Sequence, residues 1–170
     1  MGTADNPFRP PYTLTNFPNG ISSMGVPAMG AQVTLTSAQL KALQTTAVTI
    51  FPSPSTVQID GTVNLVLVPK RIYVEGKFGA TAYTLGNADN AFQLEYVGKA
   101  VALATVPAAG LVDQTSSRFI TVGPVAVGNE ALTACANLGF ELKLVGTTPA
   151  LTLGDGTLSV SLEFSAFVLT

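Results

Sequence analysis

The side chains that most often perform catalysis are scarce in this chain. Among its 170 residues there is no histidine and no tryptophan, and the single cysteine is Cys135. The lack of histidine removes the commonest general base and the commonest nitrogen ligand for metals. Cys135 would need another base beside it, because a free thiol with a pKa near ~8.5 is mostly protonated at neutral pH. Its setting, Ala131-Leu-Thr-Ala-Cys-Ala136, predicts a small, buried and unreactive side chain.

Carboxylates are the remaining candidates for acid-base chemistry, because a pair at a defined separation can cleave a glycosidic bond. The four candidates are Asp89, Glu95, Asp155 and Glu163, and their spacing matches no recognised pattern. Asp89 and Asp155 lie in Gly-Asn-Ala-Asp-Asn and Gly-Asp-Gly, where Asp side chains stabilise turns. The repeated Asp pattern of a calcium loop is absent. We therefore expect turn chemistry, with no catalytic, metal-binding or cofactor-binding residue and no enzymatic activity.

Charge and glycine placement argue against nucleotides and nucleic acids as partners. The net charge is −2, and the eight basic residues are scattered, so they form no stripe that would neutralise phosphates. The glycines at 123, 128, 139, 146, 154 and 156 separate strand-like runs and do not open a helix as a phosphate-binding loop would.

Charged residues make up only 11% of the chain, against roughly 25% in typical soluble proteins. Mean hydropathy is +0.43, yet no run approaches the ~20 apolar residues of a spanning helix, so we expect no membrane segment. A charge-poor surface favours a protein that is buried in an assembly. An ordinary soluble monomer is the alternative. The N-terminus has neither the basic start nor the apolar core of a secretory signal, which predicts synthesis in a cytoplasm.

Residues 1–33 differ in composition from the rest of the chain. They contain five of the eleven prolines and show neither helical nor strand periodicity. We expect an extended arm at 1–33, ahead of a single β-domain at 34–170. Linkers in solvent are poor in aromatic residues, whereas this arm has apolar side chains suited to lying on a partner or on its own domain. The proposed anchors are Phe8, Tyr12, Phe17, Ile21 and Met24.

The secondary-structure elements that would position these side chains are predicted to be one helix and many short strands. Thr36 and Gln39 have the spacing of a capping box, which predicts a helix at about 37–44. Strand-like runs separated by turn residues follow. The predicted strands are Ala47–Phe51, Thr56–Ile59, Asn64–Val68, Arg71–Phe78, Ala91–Val97, Ala100–Val106, Arg118–Val122, Ala131–Ala136, Phe140–Val145 and Thr157–Leu169.

The last of these strands has the clearest pattern. Residues with even numbers from Leu158 to Val168 are apolar. The odd-numbered residues are serine or glutamate from Ser159 to Ser165, and Phe167 and Leu169 are the apolar exceptions on that side. This alternation with period two predicts one buried face. About ten such strands with long connections predict an all-β fold, a jelly-roll or Greek-key β-sandwich.

Four segments resemble a group of small tailed-bacteriophage virion proteins, the jelly-roll capsid decoration or cement proteins. They are Thr36-Ser37-Ala38-Gln39-Leu40-Lys41-Ala42-Leu43, Thr45-Thr46 to Ile50 with Pro52 and Pro54 after it, Ala82-Tyr83-Thr84, and Gly154-Asp155-Gly156-Thr157-Leu158. The resemblance covers roughly residues 36–169. All four segments are structural, and none is a catalytic motif. Ser55 to Asp60 departs from the group, because a Gly-rich segment usually stands there.

The resemblance implies a structural protein that binds the outside of an assembled phage head and stabilises it without catalysis. Its partners would be the major capsid protein and further copies of itself, with a homotrimer favoured and a dimer as the alternative. Its location would be the capsid surface of the virion. The competing functional hypothesis is a tail-fibre or receptor module that binds host glycans.

Overall fold

A computed structural model describes residues 29–53, 64–123 and 135–169, and β-strands are the main secondary structure in these ranges. The elements, in chain order, are β1 (Met29–Leu35), α1 (Ser37–Ala42), β2 (Val48–Phe51), β3 (Asn64–Lys77), β4 (Tyr83–Leu85), β5 (Ala91–Tyr96), β6 (Ala102–Pro107), β7 (Arg118–Val122), β8 (Phe140–Val145), β9 (Leu151–Leu153) and β10 (Thr157–Leu169). Every pairing between them is antiparallel.

Two four-stranded sheets face each other, and a small two-stranded sheet lies beside them. Sheet A has the order β1-β10-β3-β7, sheet B has the order β2-β8-β5-β6, and β4 pairs with β9. Aromatic contacts join the two larger sheets, with the ring centroid of Phe164 lying 4.9 Å from that of Phe51 and 5.4 Å from that of Phe140. The hydroxyl of Tyr96 in sheet B also donates to the carbonyl of Leu67 in sheet A, at 2.6 Å. The all-β prediction is confirmed.

The predicted buried face of β10 is confirmed from Leu158 to Ala166, and the side chain of Val168 lies outside the described residues. Leu158, Val160, Leu162, Phe164 and Ala166 are all buried, because successive strand residues point to opposite sides of the sheet. Phe167, on the other face, is 36% exposed. The final strand therefore lines the core along most of its length.

β3 corrects the prediction of two separate strands at 64–68 and 71–78. The structure has one strand over these residues, and it passes through Pro69. On the neighbouring β10, Phe164 pairs with Pro69 and Glu163 pairs with Arg71, so that Lys70 is an extra residue in a β-bulge. Proline has no N–H to give to the ladder, and a bulge is one of the few places where a strand accommodates it.

The N-terminal boundary of the β-domain also needs correction. Residues 29–33, assigned above to the arm, belong to β1, which pairs with β10 from Met29↔Phe164 to Leu35↔Leu158. Met29 and Leu35 are both buried, so β1 contributes side chains to the core at each of its ends. Residues 1–28, with the proposed anchors Phe8, Tyr12, Phe17, Ile21 and Met24, lie outside the described residues.

Most of the other predicted elements are confirmed, two short strands were not predicted, and two predicted strands lie wholly or mostly outside the described residues. The helix is confirmed at Ser37–Ala42, with both hydrogen bonds of its capping box present. The strands β2, β5, β6, β7 and β8 agree with the prediction to within two residues. β4 and β9, with three residues each, were not predicted because so short a run has no periodicity. The predicted strand Thr56–Ile59 lies outside the described residues, as do the first four residues of Ala131–Ala136.

Candidate interaction surface

Cys135 and the four carboxylates lie in separate parts of the sandwich. Cys135 is buried, as predicted, with 7% of its surface exposed. Glu163 lies on the outer face of sheet A, since its neighbours Leu162 and Phe164 point inward. Glu95 lies on the outer face of sheet B, because the adjacent Tyr96 points toward sheet A. The two glutamates are therefore on opposite sides of the protein, too far apart to act on one bond.

Asp89 and Asp155 stabilise loops, as their sequence setting predicted. Asp155 Oδ1 accepts the backbone N–H groups of Ala80 and Thr81, both at 2.8 Å. Asp89 Oδ2 accepts the backbone N–H of Thr147 at 2.9 Å and also its hydroxyl. The bond from the Thr81 N–H lowers the pKa of Asp155, and the Thr147 hydroxyl lowers the pKa of Asp89. Both carboxylates are thus held ionised as structural acceptors.

Glu95 belongs to a charged network on the outer face of sheet B. Lys143 Nζ lies 2.6 Å from Glu95 Oε2 and 3.1 Å from Glu141 Oε1. Gln93 Nε2 donates to Glu95 Oε1, and the N–H of Gly98 donates to Glu141 Oε1. The bond to Glu95 raises the pKa of Lys143.

This network joins β5 to β8 and offers little open space for a substrate. Glu95 is 3% exposed and Glu141 is 8% exposed. The network could not be predicted from the sequence, because only the pairing of Glu95 with Glu141 and of Gln93 with Lys143 brings these side chains together. A structural role follows, since each carboxylate is already occupied by donors from the protein.

Three of the segments that carry the family resemblance meet at one pole of the sandwich. Ser37 Oγ, in the first turn of α1, donates to the carbonyl of Gly154 at 2.9 Å. Tyr83 Oη donates to the carbonyl of Gly156 at 2.7 Å. The ring of Tyr83 packs against Gly154 so closely that no Cβ would fit there. We call this contact region, formed by Ser37, Tyr83 and residues 154–156, the loop pole.

Leu153, beside the loop pole, combines exposure with backbone strain. Its side chain is 67% exposed, and its φ of 55° lies in the left-handed region. A branched residue such as leucine rarely adopts this conformation, which glycine and asparagine tolerate much better. The position therefore presents an apolar side chain to solvent at a cost in stability.

The outer face of sheet A has an aromatic pair near its β7 edge. Tyr73 and Phe119 stack with ring centroids 6.2 Å apart and an interplanar angle of 26°. Arg71 lies over the Tyr73 ring, 5.9 Å from its centroid, and donates Nη1–H to the Tyr73 hydroxyl at 3.1 Å. Phe119 is 62% exposed. We call Arg71, Tyr73, Phe119 and Thr121 the Phe119 patch.

Apart from Phe167, the rest of this face is mainly polar. Thr34 and Ser159 share a hydrogen bond of 2.9 Å between their hydroxyls. Gln32 on β1 pairs with Ser161 on β10, which in turn pairs with Tyr73. Strand alternation alone places Tyr73 on the outer side of β3. The position of Phe119 beside Tyr73 could not be predicted from the sequence, because it depends on the pairing of β3 with β7.

Within the described ranges, no group of three or more acidic, thiol or imidazole side chains is placed to hold a metal ion. The same part of the chain contains no helix long and apolar enough to cross a membrane.

No family model and no curated protein matches this chain. Among solved structures, it is similar to a chain of the cyanophage Pam1 capsid asymmetric unit, with 15% identity and a TM-score of 0.43. The alignment covers 92% of this chain and 98% of that chain.

Proposed function

We propose that this chain is a structural protein of a tailed-phage virion, a decoration or cement protein that binds the outside of the capsid. The observation that carries the proposal is the loop pole. Three segments that resemble that group, far apart in sequence, contact one another there through Ser37, Tyr83 and Gly154. Their contact supports a shared structural plan.

The strand order supports a jelly roll as the form of this β-sandwich. With β4 and β9 set aside, the first and last strands, β1 and β10, are neighbours in sheet A. Of the connections between the eight remaining strands, only β5 to β6 stays within one sheet, and every other one crosses to the opposite sheet. Eight antiparallel strands in two sheets built from Greek keys define a jelly roll, an architecture that recurs in viral capsid proteins and lectins.

Surface chemistry supports a role in an assembly. Charged residues are only 11% of the chain, and three large apolar side chains are exposed in the described ranges: Phe119, Leu153 and Phe167. Such side chains are stabilised when a neighbouring protein covers them. The expected partners are the major capsid protein and further copies of this chain, and the expected location is the capsid surface after synthesis in the host cytoplasm.

The proposed mechanism is mechanical. A subunit that bridges neighbouring capsid proteins adds contacts that must be broken before the shell opens. The arm would add contact area through Phe8, Tyr12, Phe17, Ile21 and Met24, at the entropic cost of ordering the segment. The β-domain would then act as the rigid body from which the arm extends.

Binding to heads that lack the protein tests this function. We expect the full chain to sediment with such heads and to raise the temperature at which they release DNA. Deletion of residues 1–28 should abolish binding. The matched control is Lys99→Gln, which changes an exposed turn of the β-domain and leaves the arm intact. Full-length protein that fails to bind heads, with a map of the particle showing it on the tail, would overturn the proposal.

The Phe119 patch favours one alternative, a module that binds host glycans. Exposed aromatic rings present an apolar face on which a sugar ring can stack, and Gln32, Ser161 and Thr121 supply polar groups on the same face. A glycan array distinguishes the two functions. Binding to a defined sugar that is lost in Phe119→Ala would establish the alternative.

We also propose that the chain has no enzymatic activity. Asp155 and Asp89 each accept backbone N–H groups, and Glu95 is paired with Lys143. These contacts leave the carboxylates little freedom to transfer protons. Hydrolysis of a glycoside substrate that disappears in Asp155→Asn and persists in Glu75→Gln would contradict this view.

A further inference from the structure

Sheet A ends at β7, and this edge differs from both edges of sheet B. β7 pairs with β3 at five consecutive positions, from Arg118↔Gly76 to Val122↔Ile72, without a register shift. Among the described residues, no strand pairs with its other side. The edge therefore presents a regular row of backbone N–H and C=O groups, which is a template for a further strand.

Two of the other edges contain devices that block such pairing. β2 has only four residues and a register shift between Thr49 and Phe51. β6 ends in Pro107, and its pairing with β5 shifts between Leu94 and Glu95. Bulges, prolines and short length are the usual means by which proteins protect sheet edges. The regular ladder of β7 contains neither a bulge nor a proline.

We propose that β7 is a self-association edge, on which β7 of a second copy pairs antiparallel across a two-fold axis. In this arrangement sheet A continues into sheet A of the second copy, and both Phe119 side chains lie on the same outer face. Residues directly opposite in an antiparallel pair have Cβ atoms about 4.5–5.5 Å apart, and diagonal neighbours are about 7–8 Å apart. Pairing of Phe119 with either Phe119 or Thr121 of the second copy brings the two Phe119 rings within reach of each other.

The exposed surface favours a two-fold contact over a head-to-tail one. β1, the opposite edge of sheet A, is also regular, but its outward-facing residues are Gly30, Gln32 and Thr34. A β7–β1 contact would leave the 62% exposed Phe119 without an apolar partner on the new strand. A second β7 supplies one. The resemblance to decoration proteins favoured a homotrimer over a dimer, and this edge favours the dimer.

Charge does not oppose the contact. The outer side chains of β7, Phe119 and Thr121, are neutral, and the single charge on the strand is Arg118 at its first position. In the antiparallel pairing, Arg118 lies opposite Ile120 or Val122 of the second copy, depending on register. No like charges therefore face each other directly, an arrangement that would destabilise the pair.

The size of the edge predicts a weak dimer. Five residues at about 3.4 Å each form an edge only about 17 Å long. The buried area would lie near the lower limit of about 1,200 Å² for specific interfaces. We expect dissociation in the micromolar to millimolar range for the free protein. The dimer does not depend on the virion role proposed above, although binding to a common shell would raise the effective concentration of the two copies.

Sedimentation of the full chain at roughly 10 and 500 μM, two concentrations within this affinity range, tests the proposal. Wild type should shift from monomer toward dimer, and Phe119→Glu should remain monomeric because its two carboxylates would lie side by side. Leu153→Glu, a change of another large exposed apolar side chain, beside the loop pole, is the matched control and should dimerise like wild type. A wild type that stays monomeric, forms trimers, or dimerises equally well as Phe119→Glu would overturn the inference.

Hydrogen exchange provides a readout on wild type that does not depend on the stability of any variant. Amides on the unpaired side of an edge strand exchange rapidly, and they become protected when a second strand pairs with them. Protection of β7 in wild type should rise between the two concentrations, while that of β1 should stay constant. Concentration-independent protection of β7, or a rise in β1 instead, would contradict pairing at this edge.

Discussion

Leu153 is exposed and has a strained backbone conformation, so a substitution at this position can measure the energetic cost of that conformation. An L-residue in the left-handed region costs about 1–2 kcal/mol, and asparagine tolerates the conformation better. We expect Leu153→Asn to increase the free energy of unfolding by about 0.5–1 kcal/mol, because little buried area is lost. Thermal unfolding should show a rise of a few degrees. Leu153→Ala retains the Cβ and should give no such gain; equal melting temperatures for the two variants would contradict the assigned strain.

The Asp155 carboxylate predicts how the stability of the folded protein depends on pH. The backbone N–H of Thr81 holds its pKa below the ordinary value of 3.8 in the folded chain. A group whose pKa is lowered by folding stabilises the protein above its unfolded pKa, and this contribution disappears as pH falls through the folded pKa.

We therefore expect wild type to be more stable than Asp155→Asn at pH 7, with a difference that shrinks below about pH 4. Denaturant unfolding across this pH range measures it. Glu75→Gln removes an exposed carboxylate of sheet A and serves as the control for the loss of one negative charge. A difference between wild type and Asp155→Asn that is constant with pH would show that the carboxylate charge is not what matters.

Single residues were predictable where their role is local. The turn roles of Asp89 and Asp155 followed from adjacent glycine and asparagine, and the burial of Cys135 followed from its small neighbours. The exposure of Phe119 did not follow, because Arg118–Val122 alternates in a way that fits burial of either face. Ile120 and Val122 pack against the core, so Phe119 points to the outer face of sheet A and is exposed.

Among the elements, β4 is joined by Tyr83 to the segment that leads into β10. The Tyr83 hydroxyl donates to the Gly156 carbonyl at 2.7 Å, its side chain is 5% exposed, and burial raises its pKa. Tyr83→Phe leaves that carbonyl without this donor and should lower the free energy of unfolding by about 1–2 kcal/mol. Tyr73→Phe removes a hydroxyl that is bonded to an exposed arginine and should cost less than about 0.5 kcal/mol. Equal losses in chemical denaturation would be inconsistent with this assignment.

The link between β5 and β8 depends on Lys143. Replacing it by methionine leaves two nearly buried carboxylates, Glu95 and Glu141, without their shared cation. Because the lysine side chain is one-third exposed, we expect a loss of about 2 kcal/mol, less than for a fully buried pair. Lys99→Met, at an exposed turn position, should be nearly neutral. Recovery of stability in Glu95→Gln/Lys143→Met/Glu141→Leu would confirm that the unpaired charges cause the loss.

Elements with strong periodicity or a capping box were predictable from the sequence, whereas those whose extent depends on pairing with another strand were not. The capping box predicted α1, and alternation predicted β5, β7, β8 and β10 to within one residue. β3 was divided at Pro69, because proline usually ends a strand and the compensating bulge depends on β10. β4 and β9 have three residues each, too few for a pattern, and exist because they pair with each other.

For the molecule as a whole, β1 sets where the folded domain begins. Its seven residues pair with β10, so a truncation that removes 1–33 would delete most of an edge strand together with the buried Met29. We expect deletion of 1–28 to leave the melting temperature within a few degrees of wild type, and deletion of 1–33 to lower it strongly. Circular dichroism with thermal unfolding compares the two, and similar melting temperatures would show that β1 contributes little.

The features that depend on neighbours along the chain follow from the amino-acid order: the all-β class, the faces of the long strands, the capped helix and the turn carboxylates. Periodicity and capping act over a few residues, so they can be read without knowledge of the fold. Which strands are adjacent depends on the folded state, because β1 and β10, or Glu95 and Lys143, are brought together by burial of a common core across long stretches of chain. The loop pole, the strained Leu153 and the β7 edge, which no described strand pairs with on its outer side, all result from that arrangement of strands.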